Sequence, residues 1–187
     1  MNTSTLPRII GILGRSRSGK DTIANIIKDK YQEYEICRFA QPIKNALKEI
    51  YGFTFDQLEN DFKESIDQRY GITPREAMQE MTSFYLTKHG PSFFSDKVFS
   101  LVSDNLSTNV IIPDVRYSHD IVQIRKRGGI IIKVIRPEVS IKHTVENHIG
   151  DLESDYTIIN DADIIHLENK VYDILTKLIE TNKTRCF

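Results

Sequence analysis

The stretch Gly14-Arg15-Ser16-Arg17-Ser18-Gly19-Lys20-Asp21-Thr22 has the residue types and spacing that most directly imply a chemistry. Gly14 and Gly19 with Lys20 satisfy G-x-x-x-x-G-K. Glycines let the backbone take positive φ and approach an anion. Successive N–H groups then form a concave nest, and a helix opening just behind adds its partial positive charge. Ser16, Arg17 and Ser18 lie inside this loop, and Lys20 can reach the outer phosphates of ATP. The hydroxyl that usually follows the lysine arrives one place late, at Thr22, which makes Thr22 the first candidate for a Mg2+ contact. Asp21 stands in its place. It helps hold the metal, or holds a neighbouring arginine, or simply favours the helix dipole. A glycine-rich turn without a ligand is the bland alternative, and the strand before and helix behind argue against it.

Further candidates lie downstream. Arg38, Phe39 and Lys44 follow the second predicted strand, at the sheet edge where ligands bind in open α/β folds. An arginine fork suits the phosphate of a second substrate, although ordinary surface charges would look the same. Arg75 and Gln79 lie four apart and share a helix face, able to read a phosphate and a base edge or simply to be solvated. Asp114 and Arg116 come just after a buried run. A carboxylate there can hold Mg2+ through water, and the arginine can neutralise transferring charge; a structural ion pair is the alternative. Arg136 is a candidate lid arginine for the ATP phosphates, with His143 and Glu146 in the irregular stretch beyond it. Phe39, Tyr70 and Phe93 are candidates for base stacking or for the core. No set of His and Cys has metal-site spacing.

The elements that must position these residues alternate. Arg8–Leu13, Glu35–Ala40, Asn109–Ile112, Ile130–Ile135 and Tyr156–Ile159 read as strands, with Pro113 ending the third. Helices are expected from Gly19 to about Lys30, over 43–51 behind Pro42, over 56–68, over 73–88, over 93–106, over 118–127, and along the face Leu167, Val171, Ile174 and Leu178. Thr73-Pro74-Arg75-Glu76 is a capping box with proline in the first turn. Buried strands alternating with helices predict an α/β fold of three layers, a central parallel β-sheet flanked by helices. The whole of 1–187 is expected to be one domain, with a helical region at about 41–107 and a lid-like loop at about 137–155.

The 187 residues are 40% hydrophobic and 27% charged, enough for one packed core, and the net charge of −1 gives no general field for a nucleic acid polymer. The polar start and the lack of a long apolar run predict neither secretion nor a membrane span. Two cysteines, Cys37 and Cys186, make no disulfide framework, so a cytoplasmic location is expected.

Taken in order, these motifs resemble the deoxynucleoside monophosphate kinase family of phages and large DNA viruses. The matching pieces are Gly14–Thr22, Phe39–Lys44, Thr73–Gln79, Asp114–Tyr117, Gly128-Gly129, His143–Glu146 and Ile158–Asp161, spread over roughly Ile9 to Leu178. The resemblance implies a P-loop kinase fold with small monophosphate-binding and lid segments. It implies ATP and Mg2+ as cofactors, deoxynucleoside monophosphates as substrates, and a homodimer in the host cytoplasm. It places the ATP phosphates on Gly14–Thr22, and Asn160 and Asp161 beside the adenine. Arg38, Phe39, Lys44, Tyr70, Arg75, Gln79, Arg116 and Glu146 would bind the deoxynucleotide. Lys20, Arg75, Asp114, Arg116 and Arg136 would carry the transfer, with Thr22 and Asp114 at the metal and Asp21 as a further candidate there. The basic loop before Gly19-Lys20-Asp21 also resembles phosphomevalonate kinase of the animal type. A P-loop regulator without turnover is the reading from a different class.

Overall fold

The computed structural model describes residues 6–103, 108–137 and 149–184. The chain divides into two compact units, Met1–Arg38 with Phe99–Phe187, and Phe39–Val98.

The first unit holds five parallel strands: β1 Ile9–Gly14, β2 Tyr34–Ile36, β3 Asn109–Val115, β4 Ile130–Ile135 and β5 Tyr156–Ile159. Their order across the sheet is β2-β3-β1-β4-β5, which puts β1 in the middle. Every residue of β1 is buried, as a strand covered on both faces requires. Helix α1 (Lys20–Lys30) and the last helix, α7 (Ile164–Thr184), supply Ile23, Ile27, Leu167, Val171 and Leu175 to a core with Ile10 and Ile12 of β1. Side chains alternate along a strand, so Gly11 points to the other face. There a Cβ on Gly11 would sit 2.7 Å from Ile124 Cδ1 of α6 (Ser118–Lys126). The absence of that side chain lets α6 lie close on the sheet and makes the fold three-layered. Among the described residues no helix is long and apolar enough to cross a membrane.

The second unit is helical: α2 Gln41–Tyr51, α3 Phe55–Glu59, α4 Pro74–His89 and the start of α5 Phe93–Ser103. Ile43, Leu47, Phe53, Leu58, Ala77 and Phe94 form its own core. The expected capping box at Thr73 is present. Thr73 Oγ1 accepts from Glu76 N at 3.1 Å, and Glu76 Oε2 accepts from Thr73 N at 2.9 Å.

Three expectations are corrected. The strand expected over 35–40 ends at Ile36, because Cys37 N makes a last bond to Ile111 O and the chain then turns toward Pro42. The helix expected over 56–68 is α3 followed by a short 3-10 turn, Asp61–Glu64. Asp67 then bridges antiparallel to Ile72. Pro113 does not end β3 but lies inside it. Lacking an N–H, it coincides with a slip in the β1–β3 register, where Gly11 pairs with Ile112 and Leu13 with Val115.

Candidate functional site

The loop between β1 and α1 is built around two residues of positive φ, Arg17 at 60° and Gly19 at 106°. A non-glycine residue held there costs about 1–3 kcal/mol, a strain that persists where the surroundings enforce it. Positive φ at such positions is the backbone pattern from which anion-binding nests are built. Ser18 N donates to Arg15 O at 3.2 Å, and Lys20 Nζ reaches back over the loop to the same carbonyl at 2.6 Å. Gly14 is tightly required, since a Cβ there would stand 2.7 Å from both Ser18 Oγ and Val134 O. Ser18 Oγ is buried and makes no hydrogen bond, although a buried hydroxyl without a partner is costly. Together with the buried ammonium of Lys20, this is the donor set expected for phosphate oxygens.

Asn160 closes the loop from behind. Its Nδ2 donates to Ser18 O at 2.9 Å, and a Cβ on Gly19 would lie 2.6 Å from that nitrogen. Asn160 is buried and supports the loop backbone, while its neighbour Asp161 is exposed and paired with Lys170 Nζ at 2.7 Å. That ammonium also donates to Ile159 O at 2.7 Å.

Asp21, on the first turn of α1, receives a 2.6 Å bond from Arg38 Nη2. Thr22, one residue on, is half-buried. Asp114 and Arg116 are half-buried at the end of β3, and Arg136 is exposed just past β4. Thus Gly14–Thr22, Arg38, Asp114, Arg116, Arg136, Asn160 and Asp161 all belong to the sheet unit, at or beyond the carboxyl ends of its strands.

The turn after Asp114 is held by Asp120, whose Oδ2 accepts from Arg116 N and Tyr117 N, each at 3.1 Å. Burial pushes the Asp120 carboxyl up to about 7, against the lowering effect of those two bonds. His119 Nε2 lies 3.4 Å from Asp120 Oδ1, and burial shifts its pKa the opposite way, downward. Desolvation favours the neutral form of both groups, so the contact is a polar one more than an ion pair.

The remaining candidates lie in the helical unit. Lys44 is buried with its ammonium 2.5 Å from Glu59 Oε2. Arg75 Nε donates to Glu64 Oε1 at 2.9 Å, and Gln79 is exposed. Phe39 is buried, whereas Tyr70 is exposed and stands edge-on to Tyr51. His143, Glu146 and residues 138–148 of the lid-like stretch lie outside the described residues. The pattern reading did not find the acids that hold these cations, Glu59 and Glu64, or the role of Asp120. Asp120 had a local signal, an acid at the third position of a helix. The other two partners are set by tertiary packing.

Among the described residues no group of three or more His, Cys, Asp and Glu could hold a metal ion by itself. Mg2+ commonly binds through one or two carboxylates and substrate phosphates, keeping several waters. Thr22 and Asp114 beside a phosphate loop fit that mode, in which the metal arrives with the nucleotide.

A central parallel sheet with this loop behind its middle strand is the fold of the P-loop kinases. By backbone the chain is similar to shikimate kinase from Aquifex aeolicus vf5, with TM-score 0.50, 12% identity, and 94% of this chain and 98% of that one covered. It is likewise similar to TT1252 from Thermus thermophilus, with TM-score 0.51, 16% identity, and coverage of 92% and 98%. At such identities the likeness is one of fold.

The sequence narrows the class. Residues 8–83 match the family model for deoxynucleotide monophosphate kinase. The chain is also 29% identical over 181 residues to an Acanthamoeba polyphaga mimivirus protein named "Putative deoxynucleotide monophosphate kinase", covering 88% of this chain and 90% of that protein. A Borreliella burgdorferi protein named dephospho-CoA kinase is 28% identical over 194 residues, covering 93% and 92%. The resemblance to the deoxynucleotide monophosphate kinases read from the motifs is borne out, and the chain is a P-loop nucleotide kinase.

Proposed function

We propose that this protein transfers the γ-phosphoryl group of ATP to the phosphate of a deoxynucleoside monophosphate, giving the diphosphate and ADP. The observation that carries this reading is the phosphate loop, with the orphaned Ser18 hydroxyl and Lys20 inside it, in a segment matching the family model over residues 8–83. Loop N–H groups and Lys20 hold the ATP phosphates. Arg116 and Arg136, at the carboxyl ends of β3 and β4, supply positive charge where it develops on the transferring group, and Arg38, just past β2, binds the acceptor phosphate. The acceptor oxygen of a monophosphate is largely ionised at neutral pH, with a second pKa of about 6, so no strong general base is needed. Catalysis is then positioning and electrostatics. Mg2+ bound with the nucleotide, through Thr22 and Asp114, would offset further phosphate charge. Arg75, Lys44, Gln79 and Tyr70 of the helical unit are proposed for the acceptor, and Glu146 with them. Supply of DNA precursors, a cytoplasmic site of action and a homodimer are part of the same reading.

The test is a phosphotransfer panel with ATP–Mg2+ and the four common deoxynucleoside monophosphates, their ribose counterparts, and dephospho-CoA. The last acceptor is included because of the dephospho-CoA kinase relative, whose similarity spans 93% of this chain. Diphosphate from at least one deoxynucleotide, abolished by Lys20→Ala in a folded protein, is expected. Turnover of dephospho-CoA alone would move the assignment to that second reading. ATP binding without any product would leave a P-loop regulator.

A further inference from the structure

Asp21 occupies the position directly behind the loop lysine, where phosphate-binding loops usually carry a hydroxyl. A carboxylate at that point is unfavourable for a polyanion unless a cation accompanies it. The cation is present: Arg38 Nη2 lies 2.6 Å from Asp21 Oδ1. The two side chains come from different elements, the first turn of α1 and the segment just past β2. They meet because Cys37 N extends the β2 ladder by one bond to Ile111 O, so the Arg38 backbone is fixed beside the sheet. The side chain of Asp21 is 68% exposed and that of Arg38 31%. A pair so exposed contributes little to stability, so its geometry needs another explanation. A guanidinium has five N–H donors in a rigid fork. The bond to Asp21 engages one nitrogen and anchors that end of the group, leaving the other donors of the fork for a second anion.

We infer that Asp21 is a positioning residue: its carboxylate holds Arg38 beside the phosphate loop so that the guanidinium meets the acceptor phosphate in a set orientation. The inference rests on the kinase reading above. It also assigns Asp21 away from the metal, since its carboxylate serves an arginine.

The test is steady-state kinetics of the wild type, Asp21→Asn, Asp21→Glu, Arg38→Ala and the double variant Asp21→Asn/Arg38→Ala. The acceptor is whichever monophosphate the wild type uses best, and calorimetry of ADP–Mg2+ runs alongside. Asp21→Asn should raise the acceptor KM about tenfold, in the range of a charge-assisted bond. The KM of ATP and the affinity for ADP–Mg2+ should stay within about twofold, because the loop donors are untouched. Arg38→Ala should show the same split, the double variant should be no worse than Arg38→Ala, and Asp21→Glu should recover most of the loss. Two results overturn the inference: independent losses that multiply in the double variant, or weaker ADP–Mg2+ binding in Asp21→Asn with the acceptor KM unchanged. A wild type that turns over no monophosphate removes the kinase reading and this role with it. The wild-type measurement alone identifies that case, while an active wild type with uncoupled variants removes only the positioning role.

Discussion

The side-chain amide of Asn160 donates to the carbonyl of Ser18 at 2.9 Å, joining positions 142 residues apart in sequence. This contact ties the segment after β5 to the crest of the phosphate loop. It fixes the peptide next to Gly19, whose φ of 106° is open to glycine and strained for any other residue.

Asn160→Ala should therefore lower stability by about 1–2 kcal/mol, the loss of one buried bond with its carbonyl left unsatisfied. It should also raise the KM for ATP, because the loop loses its brace. Gly19→Ala should do more damage, combining the positive φ with a Cβ 2.6 Å from Asn160 Nδ2. Urea denaturation and ATP titration check both variants. An Asn160→Ala protein with unchanged stability and unchanged ATP affinity would contradict the bracing role.

A second prediction concerns pH. Burial raises Asp120 from 3.8 to about 7. Between those values the native state keeps a proton that the unfolded chain has released. Native protein thus binds more protons there, and the Asp120 contribution to stability falls as pH rises from about 4 to about 7, then levels off. Asp120→Asn keeps an oxygen for the N–H groups of Arg116 and Tyr117 but cannot ionise. Its stability relative to the wild type should rise across that interval, by an amount on the order of 2–4 kcal/mol. Chemical denaturation at pH 4.5, 6 and 8, with Mg2+ absent, measures the difference. A difference constant with pH would refute the shift.

The third prediction separates fold from binding at Lys44. Its side chain is 11% exposed and that of Glu59 26%. Lys44→Met should cost about 2–4 kcal/mol, because it strands a partly buried carboxylate. Lys44→Met/Glu59→Gln should recover much of that loss, since the amide needs no counter-charge. If the folded double variant still binds the acceptor monophosphate poorly, the ammonium itself contributes to binding. Normal acceptor affinity in that protein would make Lys44 structural.

Much of this architecture could be read from the chain. β4 and β5 begin and end where β-branched runs predict, and the Thr73 capping box fixes the start of α4. The phosphate loop is equally legible, because its glycines, lysine and flanking elements form one contiguous segment. What escaped was set by distance. No local pattern could reveal that Asn160 braces Ser18, that Arg38 meets Asp21, or that Glu59 and Glu64 hold Lys44 and Arg75. Pro113 misled for a different reason. Proline removes a ladder donor, which ordinarily ends a central strand, but here the register of β3 against β1 slips and the strand continues to Val115.

The helical unit is inserted whole between β2 and β3, which are neighbours in the sheet. Pairing Ile36 with Ile111 therefore closes a loop that contains the entire insert. Closing a long, disordered loop carries an entropic cost that a compact one avoids. An insert with its own core around Leu47 and Phe53 can collapse first and shorten the loop that the pairing must close. Early compaction of residues 39–98 should therefore speed formation of the β2–β3 ladder, and mutations that loosen that core should slow refolding of the sheet.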